Sequence, residues 1–231
     1  MFRTIQWEIT NGIAWLVIQQ PPSNKMDRLF FAELKTLVTE VIPGADYRAL
    51  IIHGEGRHFS SGADIDDLLS GVKDAEISDK VGGSEVPAFL RENNRHFLFF
   101  KELKVPVIAA IQGVCLGSAL ELAMFCHFRV CAEGALLALP EVSFNLMPGC
   151  GGTQNIIPLT GRGRSLQYLL EGNNLGAAEA LDAGLVDKVV PRKDLYETCT
   201  QLAESMVAGY DSAKRDYYLR RMFHQIDHEG K

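Results

Sequence analysis

The N-terminal part of the chain has the hydrophobic pattern of a β-hairpin. Ile5–Thr10 and Ile13–Gln19 are rich in β-branched and aromatic residues, and they flank the dipeptide Asn11-Gly12. This dipeptide favours a type I′ turn, which joins two antiparallel strands through a two-residue loop. The sequence therefore predicts that the chain begins with two paired strands.

The next segment has the apolar spacing of a helix. Asp27 lies where a helix N-cap is expected, and Pro43-Gly44 lies where the helix should stop. Between them, apolar residues recur three or four positions apart, which places them on one helical face. These residues are Phe30, Leu34, Leu37, Val38 and Val41.

The same patterns divide the rest of the chain into short strands and helices. Residues Ser70 to Glu85 have little periodicity and many Gly, Asp and Ser residues, so they are predicted to form a loop. Strands are predicted at Ala49–His53, Val105–Ile111, Phe128–Ala132, Ala135–Leu139 and Val186–Val190. Helices are predicted at Val86–Lys101, Ser118–Cys126, Thr153–Pro158, Arg162–Glu171, Ala177–Ala183, Lys193–Ala208 and Ser212–Asp227.

This order predicts an α/β protein made of repeated strand–strand–helix units with a helical tail. No low-complexity linker divides the chain, and 231 residues are enough to bury one sizeable core. We therefore predict a core domain that holds the active site in residues 1–191 and a helical C-terminal region in residues 192–231.

The composition is that of an ordinary soluble globular protein, with 47% apolar and 23% charged residues. A net charge of −6 and the absence of a basic run argue against a nucleic-acid surface. No apolar stretch approaches the roughly 20 residues of a membrane span, and the N-terminus does not resemble a secretory leader. The five cysteines form no Cys-x-x-Cys pair, so neither a zinc site nor a disulfide framework is predicted. These features favour a cytoplasmic protein.

Two glutamates, Glu121 and Glu141, are the strongest candidates for chemistry. Glu121 ends the small-residue stretch Gly113–Glu121, and Glu141 ends Leu139–Glu141, ahead of the glycine-rich stretch Pro148–Thr153. Such stretches allow a ligand to approach the backbone. A third such segment is Phe59–Ile65. Two carboxylates can hold and split a water molecule, and exposed amides can hold an oxyanion. The combination predicts chemistry at a polarised carbonyl group.

Two backbone N–H groups are candidates for that oxyanion site. If a helix begins near Ser118, the Ser118 N–H has no partner within the helix, and the helix dipole strengthens it as a donor. Glu121 follows three residues later and lies on the same helical face. The second donor is the Ala63 N–H, which follows Gly62 at the start of another short helix.

Simpler interpretations exist for each of these residues. A glutamate in the first turn of a helix is usually exposed, but Glu121 is followed by Leu122–Phe125, an unlikely setting for a solvated face. His224 and His228 have a spacing that can bind a metal, but no acidic third ligand stands out, so no metal site is predicted. Ser60 and Ser61 lack the Gly-x-Ser-x-Gly pattern of a serine hydrolase.

The chain resembles the crotonase superfamily of enoyl-CoA hydratases and isomerases. The resemblance extends from about Ile5 to Val190, and the order and spacing of its motifs make coincidence unlikely. The motifs are Phe59–Ile65, Val107–Gly113, Leu116–Ala123, Pro140-Glu141, Met147–Gln154, Thr160-Gly161 and Ala178–Val186.

The resemblance implies a fold, a substrate class and a set of site residues. The implied fold is a spiral of ββα units with a helical C-terminal region, shortened here, assembled into trimers or dimers of trimers. The implied substrate is an acyl-CoA thioester, so coenzyme A is part of the substrate and no separate cofactor is expected. Glu121 and Glu141 are the implied catalytic acids, and the implied oxyanion-hole amides are those of Ala63 and Ser118. The implied substrate-binding residues are Ser61, Gly62, Asp64, Ile65 and Gly117.

The presence of both acids favours hydration of an enoyl-CoA. The same framework in the superfamily also serves double-bond isomerases, decarboxylases and dehydratases, and a non-catalytic acyl-CoA-binding subunit is a further alternative. Four positions depart from the common family pattern: Ser118 and Asn145 replace glycine, His127 replaces aspartate, and Asn155 replaces arginine. A small serine at the first position retains the backbone N–H.

Overall fold

The computed structural model describes residues 2–78 and 86–208 of the chain. The strands in these residues are β1 (Ile5–Thr10), β2 (Ile13–Ile18), β3 (Ala49–Gly54), β4 (Val107–Ile111), β5 (Val114–Leu116), β6 (Phe128–Ala132), β7 (Leu136–Ala138), β8 (Leu175–Gly176) and β9 (Lys188–Val190). The helices are α1 (Arg28–Thr36), α2 (Ile65–Ser78), α3 (Ala88–Glu102), α4 (Ser118–Phe125), α5 (Gly152–Thr160), α6 (Arg162–Glu171), α7 (Ala177–Asp182) and α8 (Leu195–Ala208). A π-helical turn at Leu37–Val41 and 3-10 turns at Ile42–Gly44, Pro140–Phe144 and Arg192–Asp194 complete the elements.

The predicted hairpin and the helix that follows it are confirmed. β1 and β2 pair in antiparallel register, and Asn11 and Gly12 have the positive φ angles of 53° and 76° that a type I′ turn requires. Asp27 caps α1, because its side chain accepts a hydrogen bond from the Phe30 N–H at 2.9 Å.

The strands form two sheets. The larger has the order β1-β2-β3-β4-β6-β9, and every pair after the first is parallel. The smaller has the order β5-β7-β8, with β5 and β7 parallel. Because β4 and β5 are separated only by Gln112-Gly113, the chain passes directly from one sheet to the other.

Alternating residues of the large sheet contribute to two packed layers. On one face, Ile51 and Ile108 pack with Leu195 and Cys199 of α8. On the other face the sheet packs against helices that include α1, α3 and α4, through residues such as Leu16, Ile52, Phe30, Phe97 and Phe125. The alternation is the expected consequence of strands that are buried on both sides.

The loop predicted at Ser70–Glu85 is wrong for the residues that the structure describes there. Ser70–Ser78 continues α2, which begins at Ile65, and residues 79–85 lie outside the described part of the chain. Asp64 caps this helix, because its Oδ1 accepts hydrogen bonds from the N–H groups of Asp66 and Asp67 at 3.0 and 3.2 Å. The cap stabilises a helix whose Gly and Asp content suggested a loop.

The C-terminal boundary at residue 191 stays a prediction. α8 lies after it and packs on the large sheet, whereas the predicted helix Ser212–Asp227 and the pair His224 and His228 lie outside the described residues. In residues 2–78 and 86–208, no helix has the length and apolar character needed to cross a bilayer.

Candidate active site

The parallel pairing of β5 with β7 brings Glu141 beside the start of α4. Leu116 is paired with Ala138, and the Gly117 N–H donates to the Ala138 carbonyl at 2.9 Å. Since parallel strands end at the same edge, the segments that follow them also lie together. A Cβ built on Gly117 would lie only 2.9 Å from Glu141 Oε1, so a side chain at this position would displace the carboxyl group.

The segment that contains Ala63 lies on the other side of β5. Leu116 N–H donates to the Ser60 carbonyl at 3.2 Å, which aligns this segment with the strand. A Cβ on Gly62 would lie 2.3 Å from the Leu116 oxygen and 3.4 Å from the Ser118 nitrogen. Glycine at position 62 thus allows the close approach that brings Ala63 and Ser118 to one cavity.

The N–H groups of Ala63 and Ser118 have no hydrogen-bond acceptor among the described residues. Met26 pairs with the neighbours of Ala63, since its N–H donates to Gly62 and its carbonyl accepts from Asp64. Ser118 is the first residue of α4, so its N–H points out of the helix at the positive end of the helix dipole. Both groups are therefore available to a ligand oxygen.

Glu121 is held by a loop of small residues that follows Met147. Its Oε1 accepts hydrogen bonds from the N–H groups of Cys150 and Gly152, each at 2.8 Å, and the side chain is 1% exposed. A Cβ on Gly152 would lie 3.0 Å from the same oxygen. The glycine-rich segment Gly149–Gly152 resembles a phosphate-binding loop in composition, but its N–H groups bind the carboxyl group of Glu121.

Burial raises the pKa values of both carboxyl groups toward neutral pH. Desolvation, with a smaller contribution from the charge of Glu141, raises the pKa of Glu121 to about 8 against the opposing hydrogen bonds from Gly152 and Cys150. Desolvation also raises the pKa of Glu141 to about 7. Glu141 Oε2 is buried and has no hydrogen-bond partner in the described residues. Near neutral pH the pair therefore holds about one proton and can both accept and donate one.

A cavity of about 460 Å³ opens beside the N–H groups of Ala63 and Ser118, whereas Glu121 and Glu141 lie behind its wall. Ala63, Asp64 and Ser118 line it, and Cys150, whose N–H holds Glu121, lines it as well. The rest of its wall is formed by Met26, Asp27, Arg28, Phe31, Asp67, Leu68, Gly71, Ala88, Phe89, Leu90 and Asn93.

The other sequence-predicted binding residues lie near this cavity without forming its wall. Gly62 and Gly117 shape the backbone on either side of Ser118. Ser61 N–H donates to the Ser23 carbonyl at 2.9 Å, and Ile65 begins α2 with 40% of its surface exposed. Their contact with a substrate stays a prediction.

Comparison with known proteins agrees with this geometry. The family model described as enoyl-CoA hydratase/isomerase matches residues 8–216. The chain belongs to this family, the crotonase superfamily. The crotonase fold is likewise shared with a 1.8 Å crystal structure of enoyl-CoA hydratase from Bacillus anthracis. That match has a TM-score of 0.83, is 28% identical, and covers 97% of this chain and 84% of that one.

Relatives in sequence differ in length from this crotonase. A probable enoyl-CoA hydratase of Bacillus subtilis (strain 168) is 38% identical over 183 residues, which are 79% of this chain and 67% of the relative. The fatty acid oxidation complex subunit alpha of Shewanella loihica is also 38% identical, over 216 residues. That match covers 90% of this chain but 28% of the subunit, so the chain corresponds to only a part of the longer protein.

Several features of this crotonase site were not found from the sequence. The donors to Glu121 are backbone N–H groups of Cys150 and Gly152, for which the only sequence signal is the density of glycine next to a buried acid. The three-residue strand β5 was not predicted, although it aligns both amides. Asn93 of α3, which lines the cavity, has no motif that marks it.

The raised pKa values predict that ionisation of the pair destabilises the fold. An unfolded glutamate ionises near pH 4.5, whereas folded Glu121 keeps its proton until about pH 8. Between these values the folded state binds more protons than the unfolded state, so this contribution to stability falls as pH rises. We expect the free energy of unfolding of Glu121→Gln to decrease less with rising pH than that of the wild-type protein. Urea unfolding of both proteins from pH 5 to 8 measures this difference. If the free energy of unfolding changed equally with pH in the two proteins, the raised pKa of Glu121 would be contradicted.

Proposed function

We propose that this protein is an enoyl-CoA hydratase, which adds water reversibly across the α,β double bond of an acyl-CoA thioester. The observation that carries the proposal is a pair of buried carboxyl groups with pKa values of about 8 and 7 next to two unpaired backbone N–H groups. Hydration requires these two functions together: proton transfer to and from water, and stabilisation of an enolate oxygen.

In the proposed reaction, the Ala63 and Ser118 N–H groups bind the thioester oxygen and withdraw electrons from the conjugated double bond. Glu121 takes a proton from water as the water oxygen bonds to the β carbon. The negative charge moves to the thioester oxygen, and Glu141 gives its proton to the α carbon. The pair holds one proton throughout. It starts on Glu141, whose pKa is the lower of the two, ends on Glu121, and must return to Glu141 before the next turnover.

The names of the relatives support an acyl-CoA substrate. They include a probable enoyl-CoA hydratase and a subunit of a fatty acid oxidation complex. We infer that coenzyme A enters as part of the substrate, that no separate cofactor takes part, and that the enzyme works in the cytoplasm.

A direct assay tests the proposal. The protein is incubated with a short trans-2-enoyl-CoA, and the loss of the conjugated absorbance is followed together with the product by mass spectrometry. Hydration predicts a mass gain of one water. A shifted double bond without a mass change would show an isomerase, and binding without turnover would show a non-catalytic subunit.

Exposed apolar side chains after Glu141 support a trimer or a dimer of trimers. Five large apolar side chains between residues 144 and 170 are exposed, and α6, which carries two of them, packs against both α5 and the Pro140–Phe144 turn. They are Phe144 (41% exposed), Met147 (75%), Ile157 (44%), Leu166 (47%) and Leu170 (71%). The predicted docking face in Ser212–Lys231 lies outside the described residues.

We expect light scattering to give the mass of three or six chains over a wide concentration range. Leu170→Ser should shift the population toward smaller species, because it removes apolar area from the contact. Glu171→Ser, a change at the next residue, serves as the control. A monomer mass at all concentrations would rule out the trimer.

A further inference from the structure

Asn93 is a buried polar residue in the wall of the site cavity. It lies on α3 one turn after Phe89 and Leu90, which also line the cavity, and it is 9% exposed. Phe97, one turn further on, is fully buried and lies beside Phe31 with ring centroids 6.2 Å apart. The amide of Asn93 therefore faces the cavity from a wall that is otherwise apolar on this helix.

The charged residues in the cavity wall already have partners. Arg28 Nε pairs with Asp67 at 3.1 Å, Asp64 pairs with Lys25 at 2.6 Å, and Asp27 caps α1. The Asn93 side chain, in contrast, forms no hydrogen bond with any of the described residues. The Asn93 amide is not among the fully buried polar atoms without a partner, so it stays accessible to solvent from the cavity. A ligand that fills the cavity removes this solvent and must offer the amide a hydrogen bond, or binding loses free energy.

We propose that Asn93 is a specificity-determining residue that hydrogen-bonds a neutral oxygen on the acyl chain of the substrate. This inference rests on the proposed function and narrows its substrate class to enoyl-CoA thioesters whose acyl chain carries a hydroxyl or keto oxygen beyond the double bond. The Asn side chain suits both groups, because it offers a carbonyl acceptor and an NH₂ donor.

Charge in and around the cavity argues against a carboxylate at the same position. Arg28 is the cationic residue in the wall, and it is engaged by Asp67. Asp27 and Asp64 add negative charge to the wall. A second carboxylate on the substrate would meet like charges and no free cation, whereas a hydroxyl or keto oxygen requires only the Asn93 amide.

The test compares acyl-CoAs of equal chain length that carry an alkyl, hydroxyl, keto or carboxylate end. kcat/KM is measured for the enoyl forms, and Kd is measured by calorimetry for the saturated forms, which cannot be hydrated. We expect the wild-type protein to prefer a hydroxyl or keto chain over the alkyl chain by about 10-fold or more, the typical value of a satisfied buried hydrogen bond.

Asn93→Leu removes both hydrogen-bonding groups at similar volume. We expect it to abolish the preference in kcat/KM and in Kd while its melting temperature stays the same or rises, since no hydrogen bond between described residues is lost. Asn94→Leu makes the same change at the next residue of α3, outside the cavity wall, and should retain the preference. The hydroxyl and keto arms show which oxygen is recognised.

Several results would overturn the inference. One is an equal preference for hydroxyl or keto chains in the wild-type protein and in Asn93→Leu. Another is a preference of the wild-type protein for the alkyl or carboxylate chain. A third is a fall in melting temperature in both Asn93→Leu and Asn93→Ala while the preference for the oxygen-bearing chain persists. Failure of the proposed function is distinct: a Kd preference that depends on Asn93, without any hydration, would refute the hydratase and keep Asn93 as the residue that selects the acyl chain.

Discussion

Glu121→Gln is expected to lower kcat for hydration by at least about 10²-fold, the usual contribution of a general base. Glutamine keeps an Oε1 atom that can accept the hydrogen bonds from Cys150 and Gly152, so the loop and the fold should persist. It cannot take a proton from water. The loss should therefore appear in kcat more than in the affinity for a saturated acyl-CoA.

The control for this change is Glu133→Gln, an exposed glutamate in the turn between β6 and β7, which should retain wild-type turnover. Activity of Glu121→Gln close to that of wild type would remove Glu121 from the mechanism. Glu141→Gln separates the alternatives further. If Glu141→Gln lost hydration but still shifted the double bond of the substrate, an enoyl-CoA isomerase would be favoured over a hydratase.

Local patterns were sufficient for the elements that depend on neighbours in sequence. The hairpin at Asn11-Gly12 and the cap at Asp27 are set by turn geometry and by the first helical N–H groups, and both are confirmed. α2 was missed because Gly71 and its Asp and Ser residues lower helix propensity. The structure stabilises it through the Asp64 cap and through packing of Gly71 against Phe89.

The site depends on contacts that no local pattern encodes. Sequence reasoning selected Glu121, Glu141, Ala63 and Ser118, and the structure brings all four together. It could not show how, because the parallel pairing of β5 with β7 joins segments about twenty residues apart, in strands only three residues long. The partner that we propose for Asn93 is likewise a ligand, so no second residue in the sequence would reveal it.

Ser118→Pro is expected to reduce hydration by about 10²–10³-fold, because it removes one of two N–H donors to the enolate oxygen. That loss corresponds to about 2.7–4 kcal/mol of transition-state stabilisation. Ser118 is the first residue of α4, a position that tolerates proline because its N–H has no partner within the helix. The fold should therefore survive a change that would break the helix one turn later.

Ser118→Gly is the matched variant, since it removes the hydroxyl and keeps the N–H. We expect it to stay within a few-fold of wild-type kcat, although the Ser118 side chain interacts with Glu121 and lowers the pKa of that carboxyl. If the glycine variant lost as much activity as the proline variant, with folding and saturated acyl-CoA binding intact, the hydroxyl would be the catalytic group. If proline retained turnover, the donor at position 118 would have no part in stabilising the enolate, and the Ala63 N–H would have to act alone.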